Sequence, residues 1–312
     1  MKPTVLFIVG ATASGKTDAA LAVALRQAQD ERGFGGVEVV NADSRQVYRG
    51  MSIGTAKPTP AQLAAVPHHL VDVADPADGF SLAAFLELAR AALSEILDRG
   101  RMPVVAGGTG QYVWGLVEGW HAPRVPPQAA LRERLEREAT VRGPAVLHAR
   151  LARLDPGAAS LIDPRNVRRV VRALEVVEVT GKPFSAQRLK EQPPFEPHLV
   201  GLSVERAELY RRIDDRVDGM MAAGWLDEVR SLIAAGYDPE LPALSSAGYR
   251  ELAAHLRGEL SLDAAVARAK TATHRLARRQ GAWFRRDDER IAWVADAEAV
   301  VARAERVLDR GP

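Results

Sequence analysis

The residues with the clearest chemical meaning are the eight from Gly10 to Thr17, which read Gly-Ala-Thr-Ala-Ser-Gly-Lys-Thr. They match the pattern G-x-x-x-x-G-K-[ST], in which backbone N–H groups turn inward around phosphate oxygens. Lys16 adds a positive charge there, and the Thr17 hydroxyl is of the type that ligates Mg²⁺. We therefore predict a ligand that carries at least a diphosphate. The alternative is an ordinary glycine-rich turn.

A carboxylate is the second chemical element. Asp43 comes just after the apolar run Val37–Asn41, which reads as a buried strand. In a parallel sheet, a carboxylate at the end of the strand next to the phosphate loop would lie near the bound anion. Asp43 would then act as a base or as a metal ligand. Asp is also a good helix cap, and the pattern alone leaves both interpretations open.

Alternating strands and helices must position these groups. The predicted strands are Val5–Val9, Val37–Asn41 and Pro103–Ala106, and the predicted helices between them are Thr17–Gln29 and Ser81–Arg99. Strands separated by helices indicate a parallel sheet with crossover connections, whose ligands bind at the carboxyl ends of the strands. The predicted fold class is α/β, with a P-loop NTPase-like parallel sheet as its core.

The pattern changes at a proline-rich stretch, His121–Pro127, after which the sequence is helical and rich in Arg. Prolines at 183, 193, 194 and 197 indicate a return linker, and Val200–Val204 reads as one more strand. We predict a core of residues 1–120 and 200–312 with a helical C-terminal part, and an inserted helical domain at 121–199. The helices predicted beyond residue 120 are Leu131–Thr140, Pro144–Leu154, Pro164–Thr180, Arg206–Ala223, Leu226–Ala235, Leu244–Leu256 and Leu262–Arg278.

Composition narrows the class of protein. The chain has 312 residues and a net charge of +2, yet residues 121–200 hold 14 Lys and Arg against 9 Asp and Glu. Such a basic segment suits a nucleic-acid backbone. The chain has no cysteine, which excludes disulfides and thiolate metal sites. It also lacks a long apolar run and a signal-peptide pattern, so we expect a cytoplasmic protein without a membrane partner.

Further motifs resemble those of the tRNA dimethylallyltransferases, the IPP transferase family, in content and order. The resemblance covers nearly the whole chain, with Ala11 standing where the family usually has Pro and with unusual residues at 272–275 and 281–282. Beyond the phosphate loop, it rests on N-A-D-S-R-Q-V-Y-R-G-M-S-I-G-T-A-K-P from Asn41, P-H-H-L-V-D from Pro67, A-G-G-T-G-Q-Y from Ala106, R-R-V-V-R-A-L-E from Arg168, R-I-D-D-R-V from Arg212, A-G-Y-R-E from Ala247, A-R-R-Q from Ala277 and W-F-R from Trp283.

The resemblance implies a reaction and its partners. Such enzymes move a dimethylallyl group from dimethylallyl diphosphate to the exocyclic amine of the adenine 3′ to the anticodon, in tRNAs that read codons starting with U. The product is isopentenyladenosine, and the phosphate loop holds a leaving group. The implied partners are dimethylallyl diphosphate and the anticodon stem-loop of tRNA, and the implied cofactor is Mg²⁺. We expect a monomer. The loop motif is also typical of ATP-binding proteins.

The resemblance also implies roles for single residues. The expected catalytic residues are Asp43 as general base, Thr109 and Lys16, and Thr17 is the expected metal ligand. The expected donor-binding residues are Gly10, Thr12, Ala13, Ser14, Gly15, Lys16, Thr17 and Arg216, with Arg212 as a weaker candidate. The expected tRNA-binding residues are Asp43, Ser44, Arg45, Gln46, Thr109, Arg168, Arg169, Arg172, Gly248, Tyr249, Arg250, Arg278, Gln280, Trp283 and Arg285.

Other functions fit parts of the pattern. A phosphate loop with a nearby Asp also describes a small-molecule or nucleoside kinase. An adenylate isopentenyltransferase would use free AMP or ADP as acceptor, and a non-catalytic RNA-binding module would need neither Lys16 nor Asp43. The adjacent pair His68 and His69 is not expected to bind a metal, since neighbouring side chains on a strand point to opposite faces.

Overall fold

The structure, a computed structural model, describes residues 2–28, 35–121, 123, 125–187 and 190–308. The chain forms two compact units, one of Met1–Val117 with Pro193–Pro312 and one of Glu118–Gln192. The boundaries predicted for the insertion, 121 and 199, therefore lie several residues away from those of the second unit. Residues 193–199 belong to the first unit because its fifth strand begins at Glu196, four residues before the predicted start.

Six parallel strands form the sheet of the first unit, in the order β3-β2-β4-β1-β5-β6. This arrangement confirms the predicted α/β class. Val5–Val9 is completely buried, as its continuous apolar sequence predicts. The strands are β1 Thr4–Val9, β2 Val37–Asn41, β3 His68–His69, β4 Met102–Gly107, β5 Glu196–Leu202 and β6 Ile291–Val294.

The order of the strands corrects one expectation. β2 does not lie next to β1, because β4 pairs with both of them and separates them. The carboxyl ends of all three strands nevertheless meet at one edge of the sheet, since all pairings are parallel. Whether Asp43 reaches the phosphate loop therefore depends on what lies at the end of β4.

Thirteen α-helices are found among the described residues. They are α1 Lys16–Gln27, α2 Pro60–Ala65, α3 Leu82–Asp98, α4 Gly110–Val117, α5 Ala129–Arg142, α6 Pro144–Leu154, α7 Pro156–Ala159, α8 Val167–Thr180, α9 Arg206–Ala222, α10 Trp225–Ala234, α11 Tyr249–Leu256, α12 Leu262–Trp283 and α13 Ala297–Leu308. Sequence patterns predicted the long helices and missed α2, α4, α7 and α13, as well as β3 and β6.

Helices cover the sheet of the first unit. α1 and α13 share an apolar cluster with β1, β2 and β4, to which Ala20 and Val300 contribute. α3 contacts α4, where Phe85 stacks on Tyr112 with ring centroids 3.8 Å apart. Helices α9 to α12 build a further cluster around Trp225, which also takes in the segment that follows β2.

The second unit is helical, in agreement with the sequence pattern, and consists of α5 to α8. Its apolar core includes Leu135, Leu151 and Leu174. Two carboxylates are buried in this unit, those of Asp155 and Glu175. The Glu175 carboxylate accepts hydrogen bonds from the Arg132 side chain, at 2.8 Å, and from the Gln128 N–H, at 2.7 Å. A buried carboxylate needs such partners, so this network holds the helices together.

No helix within the described ranges is both long and apolar enough to cross a membrane.

Candidate active site

The phosphate loop leaves β1 and enters α1 in the conformation that its sequence motif predicts. Gly10 and Gly15 have φ angles of 149° and 94°, and Ala13 has a φ of 63° in the left-handed region. A Cβ atom on Gly10 would lie 3.0 Å from the carbonyl oxygen of Leu202, so this position has no room for a side chain. A left-handed alanine is uncommon and is typical of a backbone held in place for a ligand.

The Ser14 hydroxyl lacks a hydrogen-bond partner among the described residues, although its Oγ is buried. A buried hydroxyl without a partner is unfavourable, and this one lies beside the N-terminus of α1, where free N–H groups attract anions. The loop therefore has the shape and the polarity for a phosphate group.

Lys16 lies inside the loop. Its Nζ donates a hydrogen bond of 2.6 Å to the carbonyl oxygen of Ala11. Burial lowers the pKa of Lys16 from its ordinary 10.5 to about 8, while the negative charge of Asp43 raises this pKa and the positive charge of Arg216 lowers it. Lys16, Asp43 and Arg216 are thus close enough to interact, although they come from three separate parts of the sequence.

Asp43 is fixed by a turn at the end of β2. Its Oδ1 accepts the N–H of Arg45 at 2.8 Å, and its own N–H donates to Asn41 Oδ1 at 3.0 Å. The second carboxylate oxygen, Oδ2, has no hydrogen bond to any residue that the structure describes. Asp43 therefore stabilises a turn and keeps one oxygen available. It does not cap a helix, because no helix begins among the described residues 42–59 between β2 and α2. Asn41, which fixes this turn, was not among the predicted site residues.

Thr109 connects the ends of β2 and β4. Its Oγ1 accepts the N–H of Ser44 at 3.0 Å, and its N–H donates to the carbonyl oxygen of Ala42 at 3.2 Å. Gly107 permits this approach, because a Cβ atom there would overlap the backbone of Ala42. The structure therefore places Thr109 against the backbone on both sides of Asp43, at Ala42 and at Ser44.

Arg216 and Arg212 have different surroundings on α9. Arg216 is an exposed residue, but nearby protein atoms partly desolvate its guanidinium and lower its pKa. It makes no salt bridge within the described part of the chain. Arg212 pairs with Glu208 at 2.7 Å on the helix surface. Arg216 therefore remains the donor-binding candidate, and Arg212 is occupied on the helix surface.

Gln280 occupies a position that the sequence analysis did not anticipate. We expected it to contact RNA, but it is buried and its Oε1 accepts the N–H of Thr12 in the phosphate loop at 2.7 Å. Ala277, one turn earlier on α12, packs in a small apolar cluster with Ala13. This side of α12 therefore faces the phosphate loop.

Tyr249 was expected to bind tRNA, and this expectation is wrong. Its side chain is completely buried, and its hydroxyl donates to Glu228 Oε1 at 2.6 Å, so it is not available to bind tRNA. Gly248 is likewise structural, because a Cβ atom there would overlap the Trp225 ring. Arg250 is exposed and lies within 3.2 Å of Glu251.

Glu228 has a structural role that was not predicted. Its carboxylate accepts the N–H groups of Ser52, Ile53 and Gly54 at 2.8, 2.7 and 3.2 Å. The family-like motif at Ser52–Gly54 is therefore a loop closed by a distant carboxylate. No local sequence signal links the two, because Glu228 lies on α10.

Two further RNA candidates near Asp43 make internal hydrogen bonds. Arg45 donates to the carbonyl oxygen of Pro242 at 2.7 Å. Gln46 donates through Nε2 to the carbonyl oxygens of Thr55 and Ala56 at 3.1 and 3.0 Å. Both side chains hold the segment after β2 in place, and both remain partly exposed.

The C-terminal end of α12 contains both exposed and engaged side chains. Arg278 is exposed and makes no hydrogen bond or ion pair within the described ranges. Trp283 is 41% exposed, and its carbonyl oxygen accepts the indole N–H of Trp114 at 3.0 Å. Arg285 makes two hydrogen bonds to Asp287, at 2.9 and 2.7 Å. Of the two arginines, Arg278 is the more available cation.

The arginines of α8 separate into two kinds. Arg168 and Arg169 are exposed, and neither side chain has a partner among the residues described. Arg172 instead donates to the carbonyl oxygen of Val125 at 3.0 Å and to the buried Glu175 at 2.5 Å. The expectation that Arg168 and Arg172 act as a pair is therefore wrong, since Arg172 belongs to the network inside the second unit.

No cluster of three or more His, Cys, Asp or Glu residues suited to a metal ion occurs in the described part of the chain. His68 contacts the carbonyl oxygen of Val66, and His69 contacts Glu38, so the two rings have separate partners. The Thr17 hydroxyl, by contrast, makes no hydrogen bond to a described residue and stays available.

Two family models and several curated proteins match this chain. Residues 46–287 match the family described as IPP transferase, and residues 3–79 match a second family, isopentenyl transferase. The chain is 50% identical over 301 residues to a tRNA dimethylallyltransferase of Roseiflexus sp. (strain RS-1), covering 96% of each sequence. It is 51% identical over 289 residues to one of Chloroflexus aurantiacus, covering 93% of this chain and 95% of the relative.

Solved structures extend the likeness to the whole fold. The tRNA isopentenylpyrophosphate transferase of Bacillus halodurans is 35% identical with a TM-score of 0.70, over 99% of this chain and 96% of that one. A eukaryotic dimethylallyltransferase that acts on tRNA is 26% identical with a TM-score of 0.80, over 99% and 80%. The fold is P-loop NTPase-like, and this chain belongs to the IPP transferase family, the family of the tRNA dimethylallyltransferases.

Proposed function

We propose that this protein transfers a dimethylallyl group from dimethylallyl diphosphate to the exocyclic amine of the adenine 3′ to the anticodon of tRNA. One observation carries the chemistry: Asp43 follows β2 at the same carboxyl edge of the parallel sheet at which β1 leads into the phosphate loop, and its turn leaves Oδ2 without a hydrogen bond to a described residue. Its negative charge also raises the pKa of Lys16. A base and an anion-binding loop are thus neighbours. Such a pair suits a displacement in which an amine loses a proton while a diphosphate leaves.

The phosphate loop would hold the diphosphate of the donor. Backbone N–H groups at the start of α1 and the Ser14 hydroxyl, which is buried without a described partner, would bind its oxygens. Lys16 and Arg216 would add two positive charges. These groups stabilise the negative charge that grows on the diphosphate as the allylic carbon–oxygen bond breaks, which is where such a site lowers the barrier most.

Asp43 would accept the proton. The adenine amine is a weak nucleophile because its lone pair is delocalised into the ring. As the nitrogen–carbon bond forms, the electron pair of the breaking carbon–oxygen bond goes to diphosphate and one amine proton goes to Asp43 Oδ2. A positioned base of this kind accelerates a reaction by roughly 10² to 10⁴. Thr109 accepts a hydrogen bond from the N–H of Ser44, the residue after Asp43, and would hold the Asp43 carboxylate beside the adenine.

Mg²⁺ fits this site as a cofactor. Mg²⁺ usually binds through one or two protein oxygens together with substrate phosphates and water, and the available Thr17 hydroxyl is an oxygen ligand at the right end of the loop. Bound there, the ion would neutralise charge on the departing diphosphate. The absence of a three-residue metal cluster among the described residues agrees with a metal held largely by its substrate.

The basic second unit supports tRNA as the acceptor. Arg168 and Arg169 are exposed cations on α8 and would contact phosphates of the anticodon stem. In the first unit Arg278 would do the same. The adenine would leave the stacked anticodon loop to reach Asp43, which costs less in a loop than in a duplex. We propose a cytoplasmic monomer that acts on tRNAs reading codons that start with U.

One experiment tests this function. The protein is incubated with Mg²⁺, dimethylallyl diphosphate and unmodified tRNA, and the nucleosides are weighed by mass spectrometry after digestion. The expected product is isopentenyladenosine at the adenine next to the anticodon. Prenylation of free AMP or ADP with unmodified tRNA untouched would instead indicate an adenylate isopentenyltransferase. ATP turnover without prenyl transfer would indicate a kinase.

A further inference from the structure

Gln280, which lies near the C-terminal end of α12, makes a hydrogen bond to the phosphate loop. Its side-chain oxygen accepts the N–H of Thr12 at 2.7 Å, across 268 residues of sequence. The side chain is only 7% exposed, so the amide is held in this place rather than turned to solvent. One of the N–H groups of the loop is therefore already occupied by the protein itself.

The position of Lys16 shows which end of the loop is occupied. In triphosphate sites the lysine of this motif reaches the β- and γ-phosphates. Here Lys16 Nζ lies 2.6 Å from the carbonyl oxygen of Ala11, directly before Thr12 in the chain. The occupied N–H therefore lies at the end of the loop where the last phosphate of a triphosphate would bind. The N-terminus of α1, at the other end, keeps its free donors.

The surroundings of Gln280 are shaped to hold this amide. A Cβ atom on Gly108 would lie 3.0 Å from Cδ of Gln280 and would overlap its amide nitrogen, so a side chain at position 108 would displace the amide. Ala277 fixes the same face of α12 against the loop through its cluster with Ala13. Both contacts keep the carbonyl oxygen directed at Thr12.

We propose that Gln280 is a specificity residue that restricts the phosphate loop to diphosphates. A terminal phosphate at Thr12 would meet a carbonyl oxygen, which cannot donate a hydrogen bond, instead of an N–H group. A diphosphate needs only the donors nearer α1 and is unaffected. This inference rests on the proposed function, since it explains how a loop that commonly binds nucleoside triphosphates is reserved for a prenyl diphosphate.

Binding of inorganic anions tests the inference without any turnover. The affinities of pyrophosphate and of tripolyphosphate are measured by calorimetry, in the presence of Mg²⁺, for the wild-type chain and for Gln280→Ala. Removing the amide frees the Thr12 N–H, so tripolyphosphate should bind at least about 10-fold more tightly relative to pyrophosphate than it does to the wild-type chain. The ratio is informative even if the variant is less stable.

Two further variants make the result specific. Gln280→Glu keeps an acceptor for the Thr12 N–H but adds a negative charge. It should therefore weaken the binding of both anions without favouring tripolyphosphate. Thr271→Ala, an exposed position on the same helix, should leave both affinities unchanged. An unaltered affinity ratio in Gln280→Ala would overturn the proposal. Failure of the wild-type chain to prenylate tRNA would instead count against the proposed function, so the two outcomes are distinguishable.

Discussion

The carbonyl group of Ala42 occupies the space that a side chain on Gly107 would need. This single relationship decides the geometry of the site. β4 lies between β1, which leads into the phosphate loop, and β2, which ends near Asp43. An intervening strand of this kind would by itself separate Asp43 from an anion in the loop. Because β4 ends in glycine, the chain after β2 comes close to it and two hydrogen bonds to Thr109 hold it there.

Gly107→Ala should therefore impair catalysis more than anion binding. The new methyl group would push Ala42 and the turn of Asp43 away, and a displacement of about 1 Å can reduce a rate about 100-fold. We expect kcat to fall at least about 10-fold while the Kd of pyrophosphate stays within about twofold. Steady-state kinetics and calorimetry measure the two. Gly219→Ala on α9, where a Cβ atom meets nothing, is the matched control and should behave as wild type.

Asp43→Asn should remove the base and keep the turn. The amide oxygen of Asn can still accept the Arg45 N–H that Asp43 Oδ1 accepts at 2.8 Å, but it cannot take up a proton. We expect single-turnover prenyl transfer to slow by about 10² or more, with tRNA affinity unchanged. Pyrophosphate should still bind at pH 7, because the N–H groups of the loop and Arg216 remain. Near-normal turnover would exclude Asp43 as the base.

Donor affinity should depend on pH through Lys16. The pKa of this side chain is lowered to about 8 in the folded protein, and only the protonated form adds a positive charge to the loop. Pyrophosphate should therefore bind with full affinity below pH 8 and progressively more weakly above it. The measurement is the Kd between pH 7 and 9.5, compared with that of Lys16→Arg.

The arginine variant keeps its charge throughout this range. The ratio of the two Kd values therefore cancels the titration of pyrophosphate itself. We expect this ratio to change by up to about 10-fold for each pH unit above 8. A ratio that is flat across the range would show that the Lys16 ammonium does not contribute to anion binding.

Local sequence explains some of the site well and some of it not at all. The phosphate loop, Asp43 and Thr109 were predictable because each belongs to a short motif at the end of a strand, and parallel strands end at one edge. The strand order was not, since β4 follows both β1 and β2 in the chain yet lies between them. The sequence near Gly107 does not indicate that this glycine lies against the backbone of Ala42.

Residues that act across long sequence separations were misjudged for the same reason. Tyr249 and Gln280 belong to motifs that resemble the family, and motif membership suggested contact with RNA. The structure shows Tyr249 bonded to Glu228 inside the core and Gln280 bonded to Thr12. A motif indicates that a residue matters, but only its neighbours in space distinguish support of a loop from contact with a substrate.

The arginines of α8 allow a final test of this distinction. Arg168 and Arg169 are exposed without described partners, so Arg168→Ala with Arg169→Ala should weaken tRNA binding and reduce its salt dependence. Each phosphate contact that is lost lowers the slope of log K against log salt by about 1. Thermal unfolding of this double variant should match that of the wild-type chain, because no hydrogen bond between described residues is removed.

Arg172→Ala should show the opposite pattern. Arg172 donates to the buried carboxylate of Glu175 and to the carbonyl oxygen of Val125, so its loss leaves buried acceptors less satisfied at about 1–3 kcal/mol. We expect a lower unfolding midpoint and, below that midpoint, an unchanged salt slope for tRNA binding. If Arg172→Ala instead flattened the salt slope at unchanged stability, Arg172 would be an RNA contact and the network around Glu175 would not need it.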